Sequence, residues 1–304
     1  MQLKILTFNI FTGTQGLDYE RLERQINLVK SLDADVICLQ EVFDPRARIK
    51  YKNSFAQHQI FFCGKRSDGF MHWTCLKILQ LLERLLPKMR RLKNVLNGDR
   101  FGLLILLHPR LKITHVEKVL TQKFKVQCGQ GHLISSFLDL IKPRGLVMVS
   151  LKLQNMPLVV CNAHFANGVT NERRIHQVTE LLNTVSAEQD RTGASAVICC
   201  DSNSDADTQP EMLKLRAHGW QDTFAEGNVV AANVRGFTWD NQNPLVNRGF
   251  LSEPDQRVDV IYHAPVGGRP VKVLESRIVL HELPQTSDHY GVLSTVEISS
   301  ENTA

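Results

Sequence analysis

Ala196-Val197-Ile198-Cys199-Cys200-Asp201-Ser202-Asn203 is a short apolar run that stops on a carboxylate and, two residues later, an amide. An apolar run of this length bounded by polar residues is the pattern of a buried strand, so the polar pair sits at a strand end. The same arrangement recurs along the chain. Leu3-Lys4-Ile5-Leu6-Thr7-Phe8 runs into Asn9, Val36-Ile37-Cys38-Leu39-Gln40 into Glu41, and Leu158-Val159-Val160-Cys161-Asn162-Ala163 into His164. Asp259 lies inside Arg257-Val258-Asp259-Val260-Ile261-Tyr262, and Ser287-Asp288-His289 precedes a last apolar strand. Hard carboxylate and amide oxygens suit Mg²⁺, and two histidines beside them suit proton transfer or stabilisation of a phosphate. Together these residues read as metal-assisted hydrolysis of a phosphate ester.

Working outward, apolar runs at 3–8, 35–39, 59–62, 102–107, 145–151, 157–161, 196–200, 258–262 and 290–297 carry the strand pattern. Residues 18–32 place Leu22, Ile26, Val29 and Leu32 at helical spacing, and 171–186 do the same with Ile175, Val178, Leu181, Leu182 and Val185. A shorter helix is expected over 210–218. Strands mixed with amphipathic helices along a chain indicate α and β layers packed together.

A chain of 304 residues with 43% hydrophobic content can bury a sizeable core. No linker, low-complexity tract or repeat divides it, so one domain over 1–304 is expected. No apolar run approaches the roughly 20 residues that span a bilayer, and the first residues read as a strand rather than an export signal. The seven cysteines sit mostly in strand runs as small hydrophobes, which suits a reducing cytoplasm better than a disulfide framework. A net charge of +5 favours a polyanionic partner only weakly.

The order and local context of the six clusters resemble the endonuclease/exonuclease/phosphatase superfamily, which includes exonuclease III, deoxyribonuclease I and the neutral sphingomyelinases. The resemblance spans about residues 3–297. It implies a four-layer α/β/β/α sandwich, two packed mixed β-sheets flanked by helices, with the active site at one edge. By the same resemblance Glu41 is a direct Mg²⁺ ligand, with Mn²⁺ a possible substitute, and Asn9 stands at the metal. Asp288 would be a second metal or water ligand. Asp201 and Asn203 match a Gly-Asp-x-Asn motif aimed at the scissile phosphate, with Cys200 in place of the Gly. Asp259 and His289 would form a pair in which the carboxylate fixes the imidazole tautomer and the ring takes the proton of the attacking water. His164 stands where deoxyribonuclease I and the sphingomyelinases carry histidine and the exonuclease III-like enzymes tyrosine. An imidazolium there would bond a phosphoryl oxygen or protonate the leaving oxygen.

Two stretches bear on the substrate. Gly236-Phe237-Thr238-Trp239-Asp240 resembles a Thr-Trp-Asp segment of bacterial sphingomyelinases, although tyrosyl-DNA phosphodiesterases of the same superfamily carry a similar one. Residues 70–97 stand outside the minimal family pattern. They set an apolar stripe (Ile78, Leu82, Leu85, Met89, Leu92, Leu96) against Arg84, Lys88, Arg90, Arg91 and Lys93, with Pro87 breaking the helix. A basic amphipathic helix with Phe70 and Trp73 at one end suits a membrane interface, and equally a pair of helices packed on their own domain. The expectation is therefore a Mg²⁺-dependent phosphodiesterase acting on a phospholipid head group, cytoplasmic and possibly membrane-peripheral through 70–97. A nuclease or DNA-end phosphodiesterase acting on nucleic acid is the alternative, and a silent scaffold of the same fold a third.

Overall fold

The computed structural model describes residues 1–12, 18–62, 101–126, 143–154, 156–167, 170–227, 236–246, 254–265 and 270–299. The segment 70–97 lies outside the described residues. Among the described residues twelve strands form two six-stranded sheets. The first sheet contains β1 (Gln2–Asn9), β2 (Val36–Gln40), β3 (Gln59–Phe62), β4 (Leu104–Leu107), β11 (Val271–Val279) and β12 (Gly291–Ile298), in the order β11-β12-β1-β2-β4-β3. The second contains β5 (Ile113–Lys123), β6 (Gly145–Leu153), β7 (Met156–His164), β8 (Ser195–Asp201), β9 (Gln221–Asp222) and β10 (Asp259–Ala264), in the order β5-β6-β7-β8-β10-β9. Each sheet has one parallel pair: β1–β2 joined through α1 (Tyr19–Ser31), and β7–β8 joined through α3 (Asn171–Thr192). All other pairings are antiparallel.

The layers follow from where side chains point. Alternate residues of a strand face opposite sides, and here both sides are covered. Leu3, Ile5, Val36, Cys38, Ile105, Val147, Val149, Val160, Val197 and Ile261 meet between the sheets. Leu6, Phe8, Ile37 and Leu39 face outward against α1 and α2 (Pro45–Ser54). Met148, Val159, Cys161, Ile198 and Val260 face α3 and α4 (Pro210–Ala217) on the far side. Each such side chain contributes about 1.5–3 kcal/mol on burial, which is why strands buried on both faces read as unbroken apolar runs. This is the four-layer sandwich.

The helices obey their local signals. Asp18 caps α1 by accepting from the N–H groups of Glu20 and Arg21, and Leu22, Ile26 and Val29 are buried as their spacing requires. The helix expected over 171–186 continues to Thr192 and ends where Gly193 turns left-handed at φ 62°. Strands β5 and β11 and helix α2 have no counterpart among the expected elements. The two strands are sheet edges with an exposed, charged face, and α2 buries only Ala47 and Tyr51, so neither type shows a clear apolar period. Cys38, Cys161, Cys199 and Cys200 are buried free thiols. Among the described residues no helix is long and apolar enough to cross a membrane.

Candidate active site

The two parallel pairs place their carboxy-terminal ends at one edge of the sandwich. Asn9 pairs in register with Gln40, the residue before Glu41, and His164 pairs with Asp201. Across the gap between the sheets Asn9 Nδ2 donates to Asp201 Oδ2 at 2.7 Å, so residues 192 positions apart share one bond. Behind them Asn162 joins the sheets. Its amide donates to the carbonyls of Leu39 and Leu104 at 2.9 and 3.0 Å, and its oxygen accepts from Gln40 at 2.7 Å.

Around Asp201 the geometry is dense. His164 Nε2 lies 3.1 Å from Asp201 Oδ2, and Asn203 Nδ2 lies 2.9 Å from the same ring nitrogen while donating to the Phe165 carbonyl. Asp201 Oδ1 accepts from the backbone N–H of Asn203, closing a turn in which Asn203 is left-handed at φ 47°. Asparagine tolerates that conformation, so the turn needs nothing special of Cys200, which lies within β8 opposite Val260. Burial alone would raise the Asp201 pKa, but the neighbouring charges of His164 and His289 and the bonds from His164 and Asn9 outweigh it and hold it far below the usual carboxylate range.

His289 Nδ1 donates to Asp259 Oδ2 at 2.8 Å, which leaves Nε2 turned toward Asp201, 4.0 Å away. Burial disfavours the imidazolium, yet the charges of Asp259 and Asp201 prevail and keep its pKa well above that of free histidine. The pair is fixed by Thr238, whose buried hydroxyl accepts from the N–H groups of Val258 and Asp259, both at 2.9 Å. The Thr238 carbonyl takes the Tyr290 N–H at 2.7 Å, and Trp239 bridges to both Gln256 and His289. The Thr-Trp-Asp segment thus ties the strand of Asp259 to the strand of His289.

Glu41 occupies a left-handed position, φ 60°, immediately beyond β2. Its carbonyl accepts from the Phe43 N–H and from the Thr12 hydroxyl, and the Val42 N–H is taken by Gly102. Glu41 and Asp201 also push the Asp288 carboxyl upward, but burial is the larger cause, and together they raise it to about 7. A carboxyl so disfavoured beside two other acids is one that a hard divalent cation would relieve, so the chemistry of Glu41 and Asp288 suits the ion expected there, while the Asn9 oxygen accepts from the Phe11 N–H at 3.0 Å. Asp201, Asp259 and His289 also bring ligand atoms within 4.8 Å of one another. There, an ion would have to displace the hydrogen bond between Asp259 and His289.

One residue of the site had no motif to reveal it. Arg144 Nη1 lies 2.6 Å from Nδ1 and 2.8 Å from Nε2 of His164. With Nε2–H donated to Asp201, Nδ1 is the nitrogen free to accept from it. Burial first, and the Arg144 charge next, lower the His164 pKa against the pull of Asp201, which disfavours the imidazolium expected at 164. Its only trace in sequence is position: Arg144 immediately precedes β6, whose first residue pairs with His164.

No protein-family model and no curated protein matches the chain. Solved structures do. TDP2 from D. rerio, complexed with single-strand DNA product, aligns over 97% of this chain and 99% of its own, with a TM-score of 0.68 at 16% identity. An endonuclease/exonuclease/phosphatase from Bacteroides vulgatus aligns over 98% and 100%, with a TM-score of 0.66 at 16% identity. The human Nocturnin catalytic domain with bound sulfate anion aligns over 98% and 95%, with a TM-score of 0.64 at 13% identity. The chain therefore has the α/β/β/α fold of the endonuclease/exonuclease/phosphatase proteins.

Proposed function

We propose that this protein is a divalent-cation-dependent phosphodiesterase whose substrate is a nucleic-acid strand or strand end. The observation that carries the reading is the convergence of Asn9, His164, Asp201, Asn203, Asp259 and His289 from both sheets on one edge, through bonds of 2.7–3.1 Å within two groups and a 4.0 Å approach of His289 Nε2 to Asp201 between them. A cation held by Glu41 and Asp288 near Asn9, Mg²⁺ in the first instance and Mn²⁺ as a substitute, would supply Lewis-acid stabilisation of charge on the phosphoryl oxygens. Asp201, kept ionised, is placed to hold an attacking water. Asn203 and Arg144 offer N–H donors to a phosphoryl oxygen. His289, oriented by Asp259 through Nδ1, presents Nε2 for proton transfer. Nucleic acid is preferred because a full-length structural neighbour holds single-strand DNA.

A phospholipid head group is the second reading, favoured by the basic amphipathic sequence of 70–97 and the sphingomyelinase-like context of His164 and Thr238-Trp239-Asp240. The deciding experiment is a labelled oligonucleotide and a nicked-plasmid assay run beside phosphocholine release from sphingomyelin vesicles, with and without Mg²⁺, for the parent and His289→Ala. Cation-dependent cleavage of DNA that vanishes in the variant is the expected result. Turnover of lipid alone moves the substrate to membranes. No turnover of either leaves a scaffold of this fold, and turnover indifferent to His289 overturns the site assignment instead.

A further inference from the structure

Helix α1 buries two long polar side chains among its apolar ones, Arg21 and Gln25. They lie one turn apart, so they leave the same face of the helix. A guanidinium and an amide are costly to bury unless each finds partners, and here the partners are main-chain carbonyls of two loops at the active edge. Arg21 Nη2 donates to the Phe11 carbonyl at 3.2 Å and Nη1 to the Thr286 carbonyl at 3.3 Å. Gln25 Nε2 donates to the Ile10 carbonyl at 3.2 Å and to the same Thr286 carbonyl at 3.0 Å, while its oxygen accepts from the buried Tyr51 hydroxyl at 3.0 Å. Ile10 and Phe11 follow Asn9, and Thr286 precedes Ser287-Asp288-His289. Each loop passes its hold on to the site. Phe11 is left-handed at φ 52°, a conformation that a bulky residue keeps only where its surroundings impose it. Arg21 imposes it from two sides, bonding the Phe11 carbonyl and lying 5.4 Å from the centre of its ring. The turn so fixed aims the Phe11 N–H at Asn9 Oδ1, 3.0 Å away, which leaves Asn9 Nδ2 for Asp201. On the other loop the Ser287 hydroxyl donates to the Asn9 carbonyl at 2.6 Å and takes the His289 N–H at 3.2 Å.

We propose that Arg21 is a positioning residue of the active edge, which acts through the Phe11 turn to fix the direction of the Asn9 amide and so the bond from Asn9 to Asp201. This rests on the phosphodiesterase reading above and adds to that site a side chain that touches neither substrate nor cation. The two carbonyls it bonds differ in what they would lose. Thr286 keeps Gln25 when Arg21 is replaced, so the loop of Asp288 and His289 stays tied to α1. Phe11 loses both the fork on its carbonyl and the cation over its ring, and with them the means that hold an aromatic residue left-handed. Once that turn relaxes, the Phe11 N–H no longer selects Asn9 Oδ1, and the amide is free to rotate away from Asp201. A neutral side chain could satisfy one carbonyl, but the planar fork of arginine reaches Phe11 and Thr286 together, so the spacing of the two loops is set by one rigid group.

The test uses the full chain, with two readouts. The first is the ¹H–¹⁵N resonance of the Asn9 side-chain amide in protein labelled on asparagine, identified by its loss in Asn9→Ala. In the parent one of its protons is expected downfield, bonded to a carboxylate, and in Arg21→Met it is expected to move to the position of a free amide. The second is hydrolysis of bis(p-nitrophenyl) phosphate with Mg²⁺, where Arg21→Met is expected to lower kcat about 10- to 100-fold and to change KM by less than about threefold. Placed in an Asn9→Ala background, the same substitution should cost less than about threefold, because a residue that acts through Asn9 then has nothing left to position. Arg21→Lys, which keeps the charge and loses the fork, is expected to fall between parent and Arg21→Met, and it carries the same comparison if Arg21→Met does not fold. An unmoved Asn9 resonance, an equal loss in both backgrounds, or a loss no greater than the fall in folded protein by circular dichroism overturns the proposal and leaves the phosphodiesterase reading intact. Absence of hydrolysis in the parent overturns that reading instead, and the Asn9 resonance alone then decides whether Arg21 sets the amide.

Discussion

The molecule contains the same supersecondary unit twice, and the two copies present their chemistry differently. β1–α1–β2 delivers Asn9 and Glu41, while β7–α3–β8 delivers His164 and Asp201 to the same edge. In the second unit both functional side chains are the last paired residues of their strands and are fully buried among hydrogen bonds. In the first, Glu41 stands one residue past the pairing, left-handed at φ 60° and half-exposed. A side chain on a rigid strand end keeps its bonds whether or not a ligand is present. One on a strained turn is held by its neighbours and stays open to solvent, as an ion site must be. On the function proposed above, the second unit would position the phosphate chemistry and the first would admit the cation.

Catalysis is where that division breaks most easily. Asp201→Asn is expected to reduce kcat by about 10²- to 10⁴-fold even at saturating Mg²⁺, since the charge that orients water is gone. Glu41→Gln is expected to raise the Mg²⁺ concentration needed for half-maximal rate more than it lowers the rate at saturation. Titration of activity against Mg²⁺ for the two variants checks both. If they shift the metal requirement alike, the units do not differ in role.

The next largest effect is on the clamp that makes the units one site. Asn162→Ala removes a buried donor from two strand carbonyls and one of the two acceptors of the Gln40 amide, which keeps Thr7 Oγ1, and about 2–4 kcal/mol of stability should be lost in urea denaturation. Combined with Gln40→Ala, the cycle should return a coupling of about 1 kcal/mol. A coupling near zero would mean that the Asn162–Gln40 bond adds nothing to the joining of the sheets. Smaller again is Gly102→Ala. Gly102 accepts the Val42 N–H beside Glu41, is left-handed at φ 62°, and an added Cβ would stand 2.8 Å from the Phe43 ring. About 1–3 kcal/mol is expected, with a rise in the Mg²⁺ requirement, because the ring that must move lies two residues from Glu41.

The second unit was also the more legible in sequence. Val159–Val160–Cys161 and Val197–Ile198–Cys199 are buried on both faces, so their apolar runs stop where the strands stop, and His164 and Asp201 follow at once. Glu41 could be placed at a strand end by the same reasoning, but its left-handed turn depends on Thr12 and Gly102, contacts that no local pattern records. Thr238-Trp239-Asp240 was read for substrate choice, whereas its threonine holds the backbone of Asp259. Arg144 was missed because a lone arginine before a strand has no period. Edge elements such as β5, β11 and α2 were missed because half-solvated surfaces mix charge with apolar residues. The helical reading of 70–97 lies outside the described residues.

The smallest effect comes from beyond the first unit, in the segment after α2. His58 follows α2 and packs edge-on against Phe55 and His108, with ring centroids 5.0 and 4.8 Å away. Burial, then the charges of His108 and Arg110, lower its pKa to about 4. Its folded value lies below the unfolded value near 6.5, so the unfolded chain binds the extra proton first. The neutral ring's contribution is therefore complete above pH 6.5 and is lost as pH falls toward 4. The ring is half-exposed, which limits the effect to about 1 kcal/mol or less. Melting of the parent and of His58→Gln, compared between pH 7 and 4.5, should show a steeper loss for the parent. Parallel curves would mean that His58 contributes nothing to the acid sensitivity of the fold and that other groups carry it.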